Sequence, residues 1–179
     1  MAKFYSKLTS RLQKFIKKQK IFFVATAPEE GRINLSPKGM DSLRVIDKNR
    51  ILWLNVTGSG NETAAHLLYN PRITLMMCSF DGAPNFLRIY GKGKAIHPQD
   101  AEWDEYIHLF PETPGSRQIF DITVESAQTS CGMSIPYFDY KGEREELNDW
   151  ARKKGDSGIQ KYWQQKNLTS IDGKPTGLE

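Results

Sequence analysis

Cysteine is scarce. Cys78 and Cys131 are the only two in 179 residues. Two cysteines so far apart build neither a disulfide framework nor a zinc site. Such usage fits a reducing compartment, and the expectation is a cytoplasmic protein. Histidine is sparse too: His66, His97 and His108 lie far apart and lack the spacing of metal ligands. Long apolar runs are missing, since no stretch approaches the roughly 20 residues of a membrane span. Internal repeats, low-complexity tracts and linkers are missing as well. Lys17–Lys20 followed by Ile21–Val24 and Ala25-Thr-Ala27 imitates a secretion signal. The apolar part is too short and the preceding segment too long for one. Ile21–Ala27 is therefore read as a buried strand.

Acidic residues are absent from the first 20 positions, which carry seven basic ones: Lys3, Lys7, Arg11, Lys14, Lys17, Lys18 and Lys20. The whole chain has a net charge of +4, so the remainder, with 18 basic against 21 acidic residues, is slightly acidic. Basicity confined to one terminal segment argues against a nucleic-acid surface. Phe86, Arg88 and Tyr90 are the only run that interleaves aromatic and basic residues on a strand, too little for a base-stacking platform. Residues 1–20 read as a basic amphipathic helix, with Phe4, Leu8, Leu12, Phe15 and Ile16 on one face. That face is expected to pack on the domain with the lysines in solvent; the competing reading is a helix lying on an acidic membrane surface.

What remains is a chain of globular composition, 39% hydrophobic and 11% aromatic, long enough for one domain. It is organised around Gly58-Ser-Gly-Asn-Glu-Thr-Ala-Ala-His-Leu-Leu-Tyr-Asn-Pro71, between predicted strands Arg50–Val56 and Arg72–Phe80. Two glycines tighten the turn. Asn61 is predicted to cap a short helix carried by Ala64, Ala65, Leu67 and Leu68. Pro71 stops it. A glycine-rich turn opening a helix gathers free N–H groups under the positive end of the helix dipole, an arrangement that suits phosphate. Thr63 adds a hydroxyl. The competing reading is an ordinary connection capped by its own Asn. Glu62 favours that one, because a carboxylate in the first turn already satisfies the dipole.

Further strands are expected at Ile21–Ala27, Arg32–Lys38, Leu43–Asp47, Asn85–Ile96 and Ile119–Thr129, and further helices at Pro98–Phe110, Lys141–Lys154 and Ser157–Lys166. Gly91-Lys-Gly93 lacks the third glycine and the βαβ setting of a dinucleotide motif. It reads as a bulge in a long strand. Six to seven strands pairing mainly with their sequence neighbours predict an antiparallel β-barrel with peripheral helices. The expected layout is a single domain over 1–179: the helix at 1–20, the barrel at 21–130 and a helical extension at 131–179.

Four segments in order, Phe23-Val-Ala-Thr-Ala27, Gly31-Arg-Ile-Asn-Leu-Ser-Pro-Lys38, Asn70-Pro-Arg-Ile-Thr-Leu75 and Leu87-Arg-Ile-Tyr-Gly91, resemble the pyridoxamine 5′-phosphate oxidase-related family of FMN-binding split β-barrels. The resemblance covers roughly residues 12–130. The tail, from Cys131-Gly-Met-Ser-Ile-Pro136 to Ser170-Ile-Asp-Gly173, resembles a bacterial branch known only as FMN-binding and oxidase-related. The resemblance implies a homodimer with FMN at the subunit interface and a small-molecule substrate. It places Ser36, Pro37 and Lys38 beside the flavin, Val56 and Thr57 on the strand before the turn, and Asn61, Glu62 and Thr63 near the phosphate. Arg88 is a further candidate for phosphate or ring, with a surface cross-strand ion pair as its competing role. Cys131 is a candidate to approach from the other subunit, or a small buried hydrophobe.

The departures from the family pattern matter. Glu62-Thr63 stands where the vitamin B6 oxidase has an Arg-Lys pair, and Tyr137–Glu179 does not match that enzyme's substrate clamp. Pyridoxamine phosphate is therefore not the expected substrate, and the phosphate's counter-charge falls to Lys38 and Arg88. No triad or carboxylate pair suggests a catalytic side chain, and none is assigned. Two alternatives keep the same barrel: a flavin- or haem-binding protein without turnover, and a deazaflavin-dependent reductase.

Overall fold

The computed structural model describes residues 2–179. Its organising element is the 15-residue strand β8 (Ser116–Ser130), whose alternation buries Phe120, Ile122 and Val124. One edge of β8 pairs along its length with β7 (Phe86–Ile96). The other edge takes two partners in succession. Its first half pairs with β5 (Arg50–Val56), and its second half with β1 (Lys3–Tyr5). Beyond β7 follow β6 (Arg72–Cys78), β2 (Phe22–Thr26) and the edge strand β3 (Asn34–Lys38). Beyond β5 lies the short edge strand β4 (Leu43–Val45). Every pairing is antiparallel. The eight strands form one curled, split barrel rather than a closed one.

The sheet has eight strands, not six or seven, because Lys3–Tyr5 is a strand and not the start of a helix. Phe4 fits a helical spacing by coincidence. It lies on the outer face, 70% exposed. The helix proper, α1 (Ser10–Lys18), starts at Thr9, whose hydroxyl accepts the Leu12 N–H at 3.4 Å. Leu12 and Ile16 face the barrel interior, where Trp53 stacks on Phe120 at 4.7 Å between ring centres.

A second apolar cluster covers the other face of β5 and β8. Leu52, Leu54, Ile96, Phe110 and Ile119 pack there under Trp103 and Tyr106 of α3 (Ala101–Tyr106) and under Ile107 of the following 3₁₀ turn, Ile107–Leu109. The glycine-marked bulge is present. The β7–β8 register shifts between Tyr90 and Gly91, where a Cβ would run into the Thr123 carbonyl.

Two further elements frame the site. Helix α2 (Glu62–Tyr69) follows β5, and Ala64, Ala65 and Leu67 bury it against the barrel. Helix α4 (Glu146–Lys166) is two helices joined at Gly155, whose φ of 63° and ψ of 173° interrupt the helical path. The tail after α4 folds back over the turn between β5 and α2. Arg32 and Asp172 form an ion pair there, and the Glu62 carboxylate accepts the Ile171 N–H at 3.0 Å. Among the described residues no helix is long and apolar enough to cross a membrane.

Candidate functional site

Two cavities meet beneath the Gly58–Gly60 turn. One, of about 220 Å³, is polar and is walled by Asn34, Ser36 and Lys38 of β3, by the turn with Asn61, Glu62 and Thr63, and by Arg117. The other, of about 200 Å³, is more apolar and includes Pro37, Trp53, Val56 and Leu147 in its wall. They share Lys38, Asn55, Val56 and Gly58. Small-molecule sites usually measure about 300 Å³ or more, so neither cavity alone is a complete one.

The electrostatics come from two cations. Arg117 is 2% exposed. The β5–β8 register pairs Asn55 with Gln118 and Val56 with Ser116, which leaves Arg117 as the extra residue of a bulge. A bulge re-aims its side chain, and here the guanidinium reaches the turn. Its Nη1 donates to the Gly60 carbonyl at 3.1 Å and to Asn167 Oδ1 at 2.6 Å, and its Nε donates to Gln118 Oε1 at 3.1 Å. All three acceptors are neutral. Burial alone lowers its pKa to about 10.

Lys38 comes from the inward face of β3, opposite Phe22. Its Nζ lies 5.2 Å from the centre of the Trp53 ring. Burial, and then the Arg117 charge, lower its pKa to about 8. Among the described residues neither cation has a carboxylate partner. A buried guanidinium and a half-buried ammonium in one wall, neither in an ion pair, are charges that a bound anion would compensate.

The turn adds donors in an unexpected way. Asn61 stands at the N-cap of α2 but makes no capping bond. Its side chain is 2% exposed and turns to the tail, Nδ2 donating to the Asn167 carbonyl at 3.4 Å. Its Oδ1 has no protein partner. The predicted cap is therefore corrected: Nδ2 holds the side chain toward the tail, Oδ1 accepts no helix N–H, and the first-turn N–H groups of α2 lack a side-chain cap. Thr63 accepts from Asn34 Nδ2 at 3.2 Å. Thr57 is already committed, donating to the Gly115 carbonyl and accepting from Trp163 Nε1, both at 2.7 Å.

Of the residues singled out by sequence, Ser36, Lys38, Val56, Asn61, Glu62 and Thr63 line the polar cavity, and Pro37, Val56 and Thr57 the apolar one. Arg88 is not brought to the same pocket. It sits on the outer face of β7, its guanidinium 4.6 Å from the centre of the Phe86 ring. Two strands, β6 and β2, separate β7 from β3. It makes no ion pair among the described residues, so that alternative is absent too. Cys131 is exposed just past the end of β8. Arg117 and Asn167 are the residues that sequence reasoning missed. A lone cation opening the apolar run Ile119–Val124 was the available signal. None of the three histidines lines either cavity. His66 is buried with Nδ1 3.0 Å from Thr26 Oγ1, and burial holds its pKa below the usual value. No cluster of metal-ligating side chains occurs among the described residues.

Comparison with known proteins agrees with this architecture. The HutZ haem storage protein of Vibrio cholerae superposes with a TM-score of 0.51 at 18% identity, over 71% of this chain and 98% of that one. HupZ of Group A Streptococcus gives 0.53 at 19% identity, over 65% and 89%. At such identities these likenesses establish the split-barrel fold. In sequence, the chain is 32% identical to the pyridoxamine 5′-phosphate oxidase family protein ustO of Aspergillus flavus, over 96% of this chain and 76% of that protein. The family model described as pyridoxamine 5′-phosphate oxidase matches residues 8–131. The chain belongs to the pyridoxamine 5′-phosphate oxidase family.

Proposed function

We propose that the polar cavity holds the phosphate of FMN, and that the protein is an FMN-dependent oxidoreductase acting on a small molecule other than pyridoxamine phosphate. The observation that carries this reading is the pair of cations without an ion-pair partner, the half-buried Lys38 and the buried Arg117. A phosphomonoester brings about −1.5 to −2 charges at neutral pH, which two cations match. The uncapped N–H groups of α2 add donors of the kind that bind phosphate. Glu62 stands in the same wall, but its carboxylate is engaged by the Ile171 N–H.

FMN, when bound, accepts and passes on a hydride or electrons at its ring. The protein's own part is to bind, orient and exclude water. Lys38 lies in the wall shared by the two cavities, so its charge serves the phosphate and also biases the adjoining apolar slot toward an anionic ring edge. Asn61 Oδ1 is an acceptor suited to a ribityl hydroxyl. A haem reading needs an axial ligand, and the cradle wall holds no histidine.

The same reading makes the protein a homodimer. Phe4, Gln128, Arg88, Met76, Phe23 and Pro37 stand in register across the outer face of five strands and the edge strand β3. Leu35, 67% exposed, lies one row away. A second copy covering this face would bring Arg88 and Cys131 into an interface. Light scattering reads the association, and Leu35→Lys weakens it.

The functional test is the absorption spectrum of the purified protein with fluorescence of the heat-released supernatant. Flavin bands with released FMN support the reading. A protein that neither carries nor takes up FMN refutes it, and haem and deazaflavin become the ligands to titrate.

A further inference from the structure

Asn167 follows α4 and is fully buried beneath the turn. Its main-chain N–H closes the helix on the Trp163 carbonyl at 2.8 Å, and it makes four further polar contacts. Its Oδ1 accepts from Arg117 Nη1 at 2.6 Å, and its Nδ2 donates to the Gly58 carbonyl at 3.1 Å. Its main-chain carbonyl accepts from Asn61 Nδ2 at 3.4 Å and from Thr176 Oγ1 at 2.7 Å. Because Arg117 can only donate and the Gly58 carbonyl can only accept, the amide orientation is fixed. One neutral side chain thus ties the buried cation to the turn.

We propose that Asn167 is a positioning residue that makes the cradle selective for phosphorylated flavins, by holding Arg117 beneath the turn without neutralising its charge. The inference rests on the phosphate reading above. An amide is the side chain suited to this position. A carboxylate would keep the contact to Arg117, but it would supply the counter-charge that the phosphate otherwise supplies, and it would face the Gly58 carbonyl with no donor. An aliphatic side chain would take the donor from the Gly58 carbonyl and leave Arg117 held only by the Gly60 carbonyl and Gln118. Through the Asn167 carbonyl, the same residue also draws Asn61 away from capping α2. It therefore keeps both halves of the cradle, cation and helix terminus, open to an anion.

The test compares FMN with riboflavin, which has the ring and ribityl chain but no phosphate, by quenching of flavin fluorescence on the full chain. The wild type is expected to prefer FMN about a hundredfold or more, the size of a lost buried charge pair. Asn167→Asp should lower FMN affinity about tenfold or more and leave riboflavin within about twofold, with thermal unfolding of the unliganded chain little changed. Asn167→Ala gives the same readout, with a smaller loss of preference, should the aspartate variant not fold. A purely structural role predicts that both flavins weaken together, and that result overturns the proposal. A wild type that prefers FMN while both variants keep the preference also overturns it and leaves the phosphate reading standing. A wild type that binds riboflavin as tightly as FMN, or binds neither, removes the phosphate reading and this inference with it.

Discussion

Two helix N-termini in this chain are built in opposite ways. At α1, Thr9 takes an extended backbone with φ −65° and ψ 161°, and its hydroxyl accepts the Leu12 N–H. At α2, Asn61 has φ −142° and ψ 40°, and its side chain gives its one hydrogen bond to the tail instead. Asparagine is as good a cap as threonine, so residue type does not explain the difference. The surroundings do. At the start of α1, Thr9, Ser10 and Arg11 are half-exposed or exposed, and the buried neighbours, Leu8 and Leu12, are apolar. Around the start of α2 are the buried Arg117, the half-buried Lys38 and a cavity. The first terminus is closed for stability. The second has no side-chain cap, a cost that the proposed anion would offset.

That contrast can be broken in order of expected size. Replacing Arg117 by Met should lower FMN affinity about a hundredfold or more, since a buried charge-assisted partner is lost. Fluorescence titration reads it, and an unchanged dissociation constant would remove Arg117 from the site. Lys38→Met should weaken FMN about tenfold or more and yet raise the melting temperature of the unliganded protein at pH 7. The Lys38 pKa is about 8 against an ordinary 10.5. The unfolded chain therefore holds the proton that the folded chain resists, a burden of about 3 kcal/mol at pH 7. Stability rises as pH climbs from about 8 to 10.5 and is lowest below that window. A melting temperature that drops in the Met variant would show that Lys38 supports the fold.

The same group sets a pH profile for binding. FMN affinity should climb through about pH 6, where a phosphomonoester gains its second charge. It should decline above about pH 8, where free Lys38 loses its proton. Titrations from pH 5 to 10 test this, and a profile flat above pH 8 would take Lys38 out of contact with the anion. The smallest effect belongs to the closed terminus. Thr9→Ala should cost about 1 kcal/mol of stability and leave FMN affinity unchanged. Denaturant unfolding measures the first and titration the second. A loss of FMN binding in this variant would mean that the two termini are coupled.

The strands were readable because alternation and turn chemistry are local. β5 lies at Arg50–Val56 as its pattern required, and Gly155 separates the two halves of α4 where Gly and Asp broke the helical run. Lys3–Tyr5 was not readable as a strand, because its partners are Ala127–Thr129 and nothing local announces them. The cradle divides along the same line. Lys38, Asn61 and Thr63 belong to the β3 strand and the turn, which carry sequence motifs. Arg117 depends on a register shift between β5 and β8, and Asn167 depends on a tail folding back more than 100 positions to Gly58 and Asn61. Alternation could say that Arg88 lies on one face of β7, but not that β2 and β6 intervene between it and β3.

The central strand also fixes an order of assembly. β1 and β5 both dock on β8, across about 120 and about 70 intervening residues respectively. Loop closure over such distances is slow. On the ribosome, β1, β2 and β5 emerge well before residue 130 and wait with open edges, so nascent chains are exposed to edge-to-edge association. Synthesis pauses or chaperone shortage before β8 emerges should therefore harm the yield of soluble protein more than equal disturbance after it.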